Sequence, residues 1–397
     1  MAAARPRLGV VLTAFGLPSE VWALRQARAF AEVEPVLFAW PPGPGGQAGA
    51  PPADLEAHRF DVPFARPVTR RRRLGWKLGL TGAILPPRRD LDALARTLRA
   101  ARLDGVLCHF AWNAIPVAAA LATGPRAADP PVAVQVHGRD VSAFLVNRAY
   151  RAALRAALPR LAFLAAVGRF QIETLRPYGP LPPHAVIPCG APLDRFAGRP
   201  VPDRPAGAPL RLVSVGRLSP EKGVMETLAA FRRLAAEVPA EWVCIGDGPL
   251  AGPLAEAIAA EPPAGPVRLA GALAPEAVAE ALADAHVFVQ HSRPAGGWIE
   301  GFGVSLTEAG AAGLPRVAAD LGGVADQATD GVDALLFAPD DVDAQAAALL
   351  RLARDEPLRR RLGAAARETA ARFDSTRLAR ALEGELLAAF AARRAAA

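Results

Sequence analysis

The sequence predicts an α/β protein with two doubly wound parallel-sheet domains in tandem. Short, continuous apolar segments alternate along the chain with segments of helical periodicity, a pattern typical of parallel strands that helices cover on both faces. This periodicity is lost at residues 188–209, where Pro, Gly, Arg and Asp accumulate, so a domain linker is predicted there. The 397 residues also exceed what one simple core usually holds.

The apolar segments of the first half are predicted to be buried strands. They lie at residues 8–12, 36–40, 105–110, 132–136 and 163–167. Between the first two, Ser19 suits a helix N-cap and Glu20 is an acidic residue for the first turn. Val21, Leu24 and Ala27 follow at helical spacing, so a helix is predicted after the first strand.

The second half repeats this pattern. Its predicted strands lie at residues 210–215, 241–245, 267–269, 287–290 and 315–318, with helices between and after them. We predict an N-terminal domain at 1–195, a linker at 196–209, a C-terminal domain at 210–375, and a final helix at 376–397 that packs back on the N-terminal domain. Ligands of doubly wound sheets bind at the carboxyl ends of the strands, so we expect the two sheets to face a central cleft.

Composition narrows the cellular context. No segment approaches the roughly 20 apolar residues that span a bilayer, and the N-terminus lacks the pattern of a secretory signal. The three cysteines, Cys108, Cys189 and Cys244, are far apart and have no metal-ligand spacing. These features predict a reduced, cytoplasmic protein without structural zinc. No metal and no cofactor are expected.

A basic segment stands out within a modest net charge of +7. Arg70, Arg71, Arg72 and Arg73 run into an apolar stretch that contains Trp76 and Lys77. One interpretation is a patch that contacts an anionic membrane, at the inner face of the plasma membrane, or an anionic acceptor. The other is a solvated loop or helix face. Nucleic acid is not an expected partner, because no recognisable nucleic-acid module accompanies the patch.

The segment from Val215 to Gly223 predicts an anion site. A buried strand ends at Gly216 and a helix begins near Gly223, so Arg217 and Lys222 lie at the carboxyl edge of the strand. Two cations beside the amides of a helix N-terminus suit a diphosphate. The alternative is an ordinary connection with exposed charges.

A second motif runs from Glu300 to Glu308. Gly301 and Gly303 allow a ligand close to the backbone, and the next helix is predicted to start near Val304 or Ser305, where its free amides can bind phosphate oxygens. Glu308, about one turn into that helix, suits a ribose diol, and Glu300, before the helix, suits sugar hydroxyls.

Residues 210–340 resemble glycosyltransferase family 4, whose members are retaining enzymes with the GT-B fold of two Rossmann-like domains. The resemblance includes both motifs above and three further segments, Gly246-Asp247-Gly248-Pro249, His291-Ser292 and Gly322-Gly323 before Asp330-Gly331. It implies that Arg217 and Lys222 hold the donor diphosphate. It also implies that Glu308 binds the nucleotide ribose, while Glu300 contacts the donor sugar near the reacting carbon.

The N-terminal half resembles the same family through residues 135–140, Gln-Val-His-Gly-Arg-Asp. The family's histidine in this segment lies beside the donor sugar, which implies that role for His137; a lone histidine at a strand end is otherwise more often structural. Residues 188–196 and 17–20 resemble the exopolysaccharide and colanic-acid branch. Two departures are Ala14-Phe15-Gly16-Leu17 in place of a Gly-Gly loop, and Asp326 in place of a glutamate.

The resemblance thus implies two overlapping sets of site residues. The catalytic set is His137, Glu300, Arg217 and Lys222. The donor-binding set is Gly16, Gly216, Arg217, Lys222, Gly246, Phe302, Gly303, Val304 and Glu308.

The resemblance implies a retaining transferase that moves a hexose-type sugar from a nucleoside diphosphate sugar to a hydroxyl acceptor, in exopolysaccharide or other surface glycan synthesis. A lipid-linked glycan is the expected acceptor, and a soluble small molecule is the alternative. A nucleotide-sugar epimerase and a glycogen-synthase-like polymerase are further alternatives with the same fold. A nicotinamide oxidoreductase is disfavoured because Ala251 stands where the Gly-x-Gly-x-x-Gly motif needs its third glycine. A periplasmic sugar-binding protein is disfavoured by the missing signal peptide.

Overall fold

The computed structural model describes residues 4–17, 20–42, 49–62, 85–124, 128–196, 198, 201–205 and 207–396. The chain divides into two compact units. The first comprises Met1–Cys189 together with Ser375–Ala397, and the second comprises Gly190–Asp374. The predicted basic segment, with Arg70 to Arg73, Trp76 and Lys77, and the predicted N-cap Ser19 lie outside the described residues.

The first unit is built on a seven-stranded parallel sheet with the strand order β3-β2-β1-β4-β5-β6-β7. Its strands are β1 (Arg7–Leu12), β2 (Glu34–Ala39), β3 (Glu56–Arg59), β4 (Gly105–His109), β5 (Val132–Val136), β6 (Phe163–Ala166) and β7 (His184–Val186). The apolar periodicity predicted all of these except β3 and β7. Both exceptions are edge strands that are only half-buried or exposed, so they lack the continuous apolar run of a central strand.

Helices cover both faces of this sheet. They are α1 (Val21–Ala29), α2 (Arg88–Ala100), α3 (Ala111–Ala122), α4 (Arg148–Ala157) and α5 (Arg169–Leu175). Along β1, Val11 joins the core under α2 to α5, whereas Val10 and Leu12 join the core under α1. This alternation is the period of two that a strand buried on both faces requires. Glu20 lies just before α1, not in its first turn as predicted, and its carboxylate accepts the Thr13 N–H at 2.9 Å.

The second unit has a six-stranded parallel sheet with the strand order β10-β9-β8-β11-β12-β13. The strands are β8 (Leu210–Val215), β9 (Ala240–Ile245), β10 (Val267–Gly271), β11 (Val287–Gln290), β12 (Arg316–Ala319) and β13 (Ala334–Phe337). The helices are α6 (Val224–Glu237), α7 (Ala251–Ala260), α8 (Pro275–Ala283), α9 (Val304–Ala311), α10 (Val342–Arg354) and α11 (Glu356–Ala370). Strand β13 was not predicted; it is short and lies at the sheet edge.

The last helix, α12 (Ser375–Ala395), is part of the first unit. Its buried residues Leu382, Leu386 and Phe390 share a core with α1 and β1. The buried Glu383 carboxylate accepts the backbone N–H groups of residues 31, 32 and 33 at 2.7–3.0 Å. These contacts fix α12 across the segment between α1 and β2.

The division into units corrects the predicted boundary at residue 195. The first unit already ends at Cys189, because Ala191 pairs with Asp374 and Phe196 is buried in the core of the second unit. The described part of the predicted linker therefore belongs to the second unit. Within the described part of the chain, no helix is long and apolar enough to cross a membrane.

Candidate active site

The loop after β8 is held against the turn after β9. The Gly216 N–H donates to the Ile245 carbonyl at 3.0 Å, and the Leu218 N–H donates to the Asp247 carbonyl at 3.0 Å. Gly246 makes this approach possible, since it has a φ of 137° and an added Cβ would lie 1.8 Å from the Gly216 oxygen. Gly246 thus supports the loop that carries Arg217.

Lys222 and Glu300 form an ion pair, with Nζ of Lys222 2.5 Å from Oε2 of Glu300. The same oxygen accepts the Ser292 hydroxyl at 2.9 Å and the Gln290 amide at 3.3 Å. These three donors converge on Oε2, and no described residue donates a hydrogen bond to the other carboxylate oxygen, Oε1. Glu300 is 6% exposed and Lys222 is 24% exposed, so the pair is only partly screened by water.

Arg217 lies beside this ion pair without joining it. Its side chain is exposed and makes no ion pair with the described residues. Arg217, Lys222, Gly216 and Gln290 line one small cleft at the carboxyl ends of β8 and β11. The Trp298 ring lies 5.2 Å from Nζ of Lys222, a distance at which a cation interacts with an aromatic face. The cleft therefore carries positive charge that an anionic ligand can reach.

The 300–303 loop leads into α9, which begins at Val304 as predicted and has no side-chain cap on its N-terminus. The Gly323 N–H donates to the Glu300 carbonyl at 2.9 Å. An added Cβ on Gly323 would lie 2.0 Å from the Gly301 oxygen, and one on Gly322 would lie 2.3 Å from the Glu300 oxygen. The glycine pair thus fixes the backbone that carries Glu300.

Four further donor-binding candidates, Phe302, Gly303, Val304 and Glu308, lie on or next to α9. Phe302 and Gly303 precede the helix, and the Phe302 ring packs 5.7 Å from that of Phe373. Glu308 is half-buried, about one turn inside the helix. The N-terminal amides of α9 and the carboxylate of Glu308 are thus on the same short helix.

Sequence reasoning missed Gln290 and Trp298 and gave Ser292 no role. Gln290 ends a fully buried apolar strand at its carboxyl edge, which is a signal that could have identified it. Trp298 lies in an irregular loop with no periodic pattern. His291, quoted in the resemblance, is buried and its Nδ1 lies 2.7 Å from the Gln345 side-chain oxygen; burial lowers its pKa. This histidine is a packing residue.

In the first unit, His137 follows β5 and its ring nitrogens both meet protein groups. Nε2 lies 3.4 Å from Nδ1 of His109, and Nδ1 lies 3.4 Å from Sγ of Cys189. The Trp22 and Phe110 rings lie 4.2 and 4.6 Å from the His137 ring. Burial in this cluster lowers the pKa of His137 well below its usual range, so the side chain is neutral at physiological pH.

Asp140 holds the backbone of the same segment. Its buried carboxylate accepts the N–H groups of His137 at 3.1 Å, Gly138 at 2.9 Å and Ala111 at 2.9 Å. Burial raises the pKa of Asp140, while these amide hydrogen bonds oppose the shift. Within the sequence His-Gly-Arg-Asp, the aspartate thus stabilises the turn that orients His137.

Gly16 belongs to the turn after β1, in the first unit. It has a φ of 76°, and an added Cβ would lie 3.0 Å from Cα of Gly49. A glycine is thus required there by the turn itself. No group of three or more His, Cys, Asp or Glu residues suited to a metal ion occurs in the described ranges.

The fold is shared with solved glycosyltransferase structures. Sucrose-phosphate synthase from Thermosynechococcus elongatus superposes with a TM-score of 0.74 at 18% identity, covering 98% of this chain and 100% of that one. Anabaena HepE, in complex with UDP and glucose, superposes with a TM-score of 0.71 at 15% identity, covering 97% and 99%. These likenesses define the class of the protein as an α/β protein of the GT-B fold.

The family follows from models that cover both halves of the chain. "Glycosyl transferase 4-like domain" matches residues 15–190, and "Glycosyl transferases group 1" matches residues 203–369. The chain belongs to glycosyltransferase family 4, and it is a glycosyltransferase. The fold class and family predicted from the sequence are thereby confirmed.

Curated relatives match over different lengths. The amylovoran biosynthesis glycosyltransferase AmsK of Erwinia amylovora is 36% identical over 150 residues, which is 37% of each chain. A GDP-mannose-dependent monoacylated alpha-(1-6)-phosphatidylinositol monomannoside mannosyltransferase of Corynebacterium glutamicum is 26% identical over 326 residues, covering 79% of this chain and 81% of the relative.

Proposed function

We propose that the protein transfers a hexose-type sugar, with retention, from a nucleoside diphosphate sugar to a hydroxyl acceptor in the synthesis of a surface glycan or exopolysaccharide. One observation carries the proposal: the Lys222–Glu300 ion pair lies beside the exposed Arg217 at the carboxyl ends of the strands. Positive charge for a diphosphate and a carboxylate for sugar hydroxyls are thus adjacent. Two comparisons support this proposal: HepE binds UDP and glucose, and AmsK is named as a biosynthetic glycosyltransferase.

The donor diphosphate is proposed to bind at Arg217 and Lys222, with the N-terminal amides of α9 at Phe302 to Val304 adding hydrogen bonds. Lys222 then exchanges part of its interaction with Glu300 for the phosphate. Two fixed cations stabilise the charge that builds up on the leaving diphosphate, so the proposal includes no metal and no cofactor.

The sugar and the nucleoside are proposed to contact the two glutamates. Oε1 of Glu300, which has no partner among the described residues, accepts hydrogen bonds from the sugar, while Oε2 stays with Ser292 and Gln290. Glu308 accepts from the ribose diol. His137, in the first unit, is assigned to a place beside the donor sugar, where its neutral ring offers no free ring nitrogen.

Retention is proposed to follow from attack on the face that the diphosphate leaves. The bond from the reacting carbon to the phosphate oxygen breaks as the acceptor oxygen bonds to that carbon. The acceptor's hydroxyl proton passes to the leaving phosphate oxygen, so no protein base is needed for this transfer. His137 is neutral and both its ring nitrogens already have protein partners, which fits this division of roles.

The acceptor is proposed to be a lipid-linked or growing glycan, reached by a cytoplasmic enzyme in peripheral contact with the membrane. Support comes from the names of two relatives, which refer to amylovoran biosynthesis and to a monoacylated phosphatidylinositol monomannoside. The basic segment of Arg70 to Arg73, Trp76 and Lys77 would supply that contact. A soluble acceptor is the second candidate.

Incubation of the purified protein with a panel of nucleotide sugars tests the donor half of the proposal. We expect one donor to be hydrolysed slowly without an acceptor, and NMR to show that the released sugar has the anomeric configuration of the donor. An inverted product would reject retention. Binding of no nucleoside diphosphate in calorimetry would reject the donor class.

A further inference from the structure

Two histidines of the first unit lie side by side at the ends of neighbouring strands. His109 ends β4 and His137 follows β5, with His109 Nδ1 and His137 Nε2 3.4 Å apart. His109 is fully buried, and its other ring nitrogen, Nε2, has no hydrogen-bond partner among the described residues. Nothing in the assigned site uses His109.

Both rings carry a single proton at physiological pH. Burial lowers the pKa of His109 to about 3, and burial together with the neighbouring His109 lowers the pKa of His137. A neutral imidazole has one N–H donor and one nitrogen acceptor. Between two neutral rings, therefore, one donates and the other accepts.

The surroundings decide which ring donates. If the proton of His109 were on Nε2, a buried N–H would have no acceptor, which is rare and unfavourable. On Nδ1, the proton is donated to Nε2 of His137. The proton of His137 then lies on Nδ1, directed at Sγ of Cys189, whose thiol stays protonated because burial raises its pKa. The opposite arrangement would pair the weak S–H donor and leave the stronger imidazole donor unpaired.

We propose that His109 is a positioning residue that holds His137 in its neutral, Nδ1-protonated tautomer, with the lone pair on Nε2 engaged. The inference rests on the proposed function, in which His137 is assigned to the donor sugar. It explains how His137 can be near the reaction without taking the acceptor's proton, since its acceptor nitrogen is already occupied. The Trp22 ring against His137 and the Asp140 clamp on its backbone fix the remaining orientation.

The tautomer can be measured directly in full-length protein labelled with ¹⁵N-histidine. The chain has six histidines, and the signals of His137 are identified by their loss in His137→Gln. Long-range ¹H–¹⁵N NMR at pH 7 should show a protonated Nδ1 and an unprotonated, hydrogen-bonded Nε2. A proton on Nε2 of His137 in the native protein overturns the proposal.

Variants at position 109 test the positioning role. His109→Leu removes the donor, so the Nε2 signal of His137 should move toward that of a free imidazole nitrogen. His109→Asn, whose amide N–H can replace Nδ1–H, should keep the native signal. His58→Leu, at a partly exposed histidine of β3, is the control that should leave His137 unchanged. An unchanged His137 spectrum in His109→Leu would overturn the role.

Kinetics then separate this role from the proposed function. With the donor found in the panel, kcat of His109→Leu should fall on the order of 10-fold at unchanged KM, since misplacing a group near the site costs up to about 100-fold. His109→Asn should recover most of the loss. If no donor reacts, the proposed function fails while the NMR result still stands. If a donor reacts and His109→Leu keeps native kcat, the positioning role fails and the proposed function remains.

Discussion

At the scale of single residues, Lys222 shows how one side chain serves two partners. Its ammonium pairs with Glu300 and lines the same cleft as Arg217. A diphosphate that enters the cleft competes with Glu300 for this cation. In the proposed function, binding of the donor and release of the carboxylate are therefore coupled.

Arg217→Ala and Lys222→Ala should each weaken binding of a nucleoside diphosphate by about 10- to 100-fold, because charge-assisted hydrogen bonds to phosphate are lost. Isothermal calorimetry measures the effect. Arg268→Ala, at an exposed arginine on β10, is the matched control and should bind like the native protein. Native affinity in both site variants would contradict the assignment of the diphosphate site.

Glu300→Gln and Glu308→Ala should act in opposite directions on the nucleoside diphosphate. Loss of the Glu300 charge frees Lys222, so affinity should rise by about 3- to 10-fold, while turnover falls by about 100-fold or more. Glu308→Ala should weaken binding, since the ribose loses its partner. The reverse pattern would exchange the roles of the two glutamates.

At the scale of secondary-structure elements, glycines set how closely the site loops approach. Gly246 lets the β9 turn lie on the β8 loop, and the Gly322-Gly323 pair lets the β12 loop lie on the 300–303 segment. At each of these glycines an added Cβ would clash with a backbone oxygen. A side-chain rotation cannot relieve such a clash, so the backbone itself would have to shift. The glycines of the motifs are thus required by the protein before any ligand binds.

Gly323→Ala should lower the melting temperature and reduce nucleoside diphosphate binding, because its Cβ would lie 2.0 Å from the Gly301 oxygen. Displaced backbone of this kind costs about 1–3 kcal/mol. Gly252→Ala, in α7 with nothing within 4 Å of the added Cβ, is the control and should be neutral or stabilising. Thermal unfolding and calorimetry compare the two. Equal melting temperatures would show that the 300–303 loop tolerates the shift.

The secondary-structure elements also show which parts of the fold could be predicted from the sequence. The central strands and the starts of α6 and α9 followed from apolar runs and motif glycines, and so did the placement of Arg217 and Lys222 together at a strand edge. The edge strands β3 and β7 did not follow, because half-exposed strands carry no continuous apolar signal. Nor did the convergence of Gln290 and Ser292 on one oxygen of Glu300, which depends on side-chain geometry.

At the scale of the whole molecule, the first unit is assembled from two distant stretches of chain. Residues up to Cys189 and the helix α12 from Ser375 onward form one unit, whereas the second unit is continuous. The sequence predicts that the final helix packs back on the N-terminal domain, but periodicity does not identify the residues that hold it there. Its burial against α1 and the Glu383 contacts assign it to the first unit.

Glu383→Gln should destabilise the first unit, because an amide oxygen replaces the carboxylate that accepts the N–H groups of residues 31, 32 and 33. Hydrogen bonds to a buried charged group contribute about 1.5–3 kcal/mol, and we expect a loss of that size in urea unfolding. Glu385→Gln, an exposed neighbour on the same helix, is the control. Equal midpoints for the two variants would mean that the carboxylate contributes little.

The position of α12 also has a consequence during synthesis on the ribosome. The first unit begins to emerge before the second unit but is completed after it, because it includes the residues from Ser375 onward. At about 5–20 residues per second, translation of the continuous second unit takes roughly 10–40 s. For that interval the apolar groove that α12 will fill on the nascent first unit has no partner from its own chain. A trigger-factor-type chaperone that shields this groove should therefore raise the yield of native protein, and a co-expressed α12 peptide should do the same in place of the chaperone.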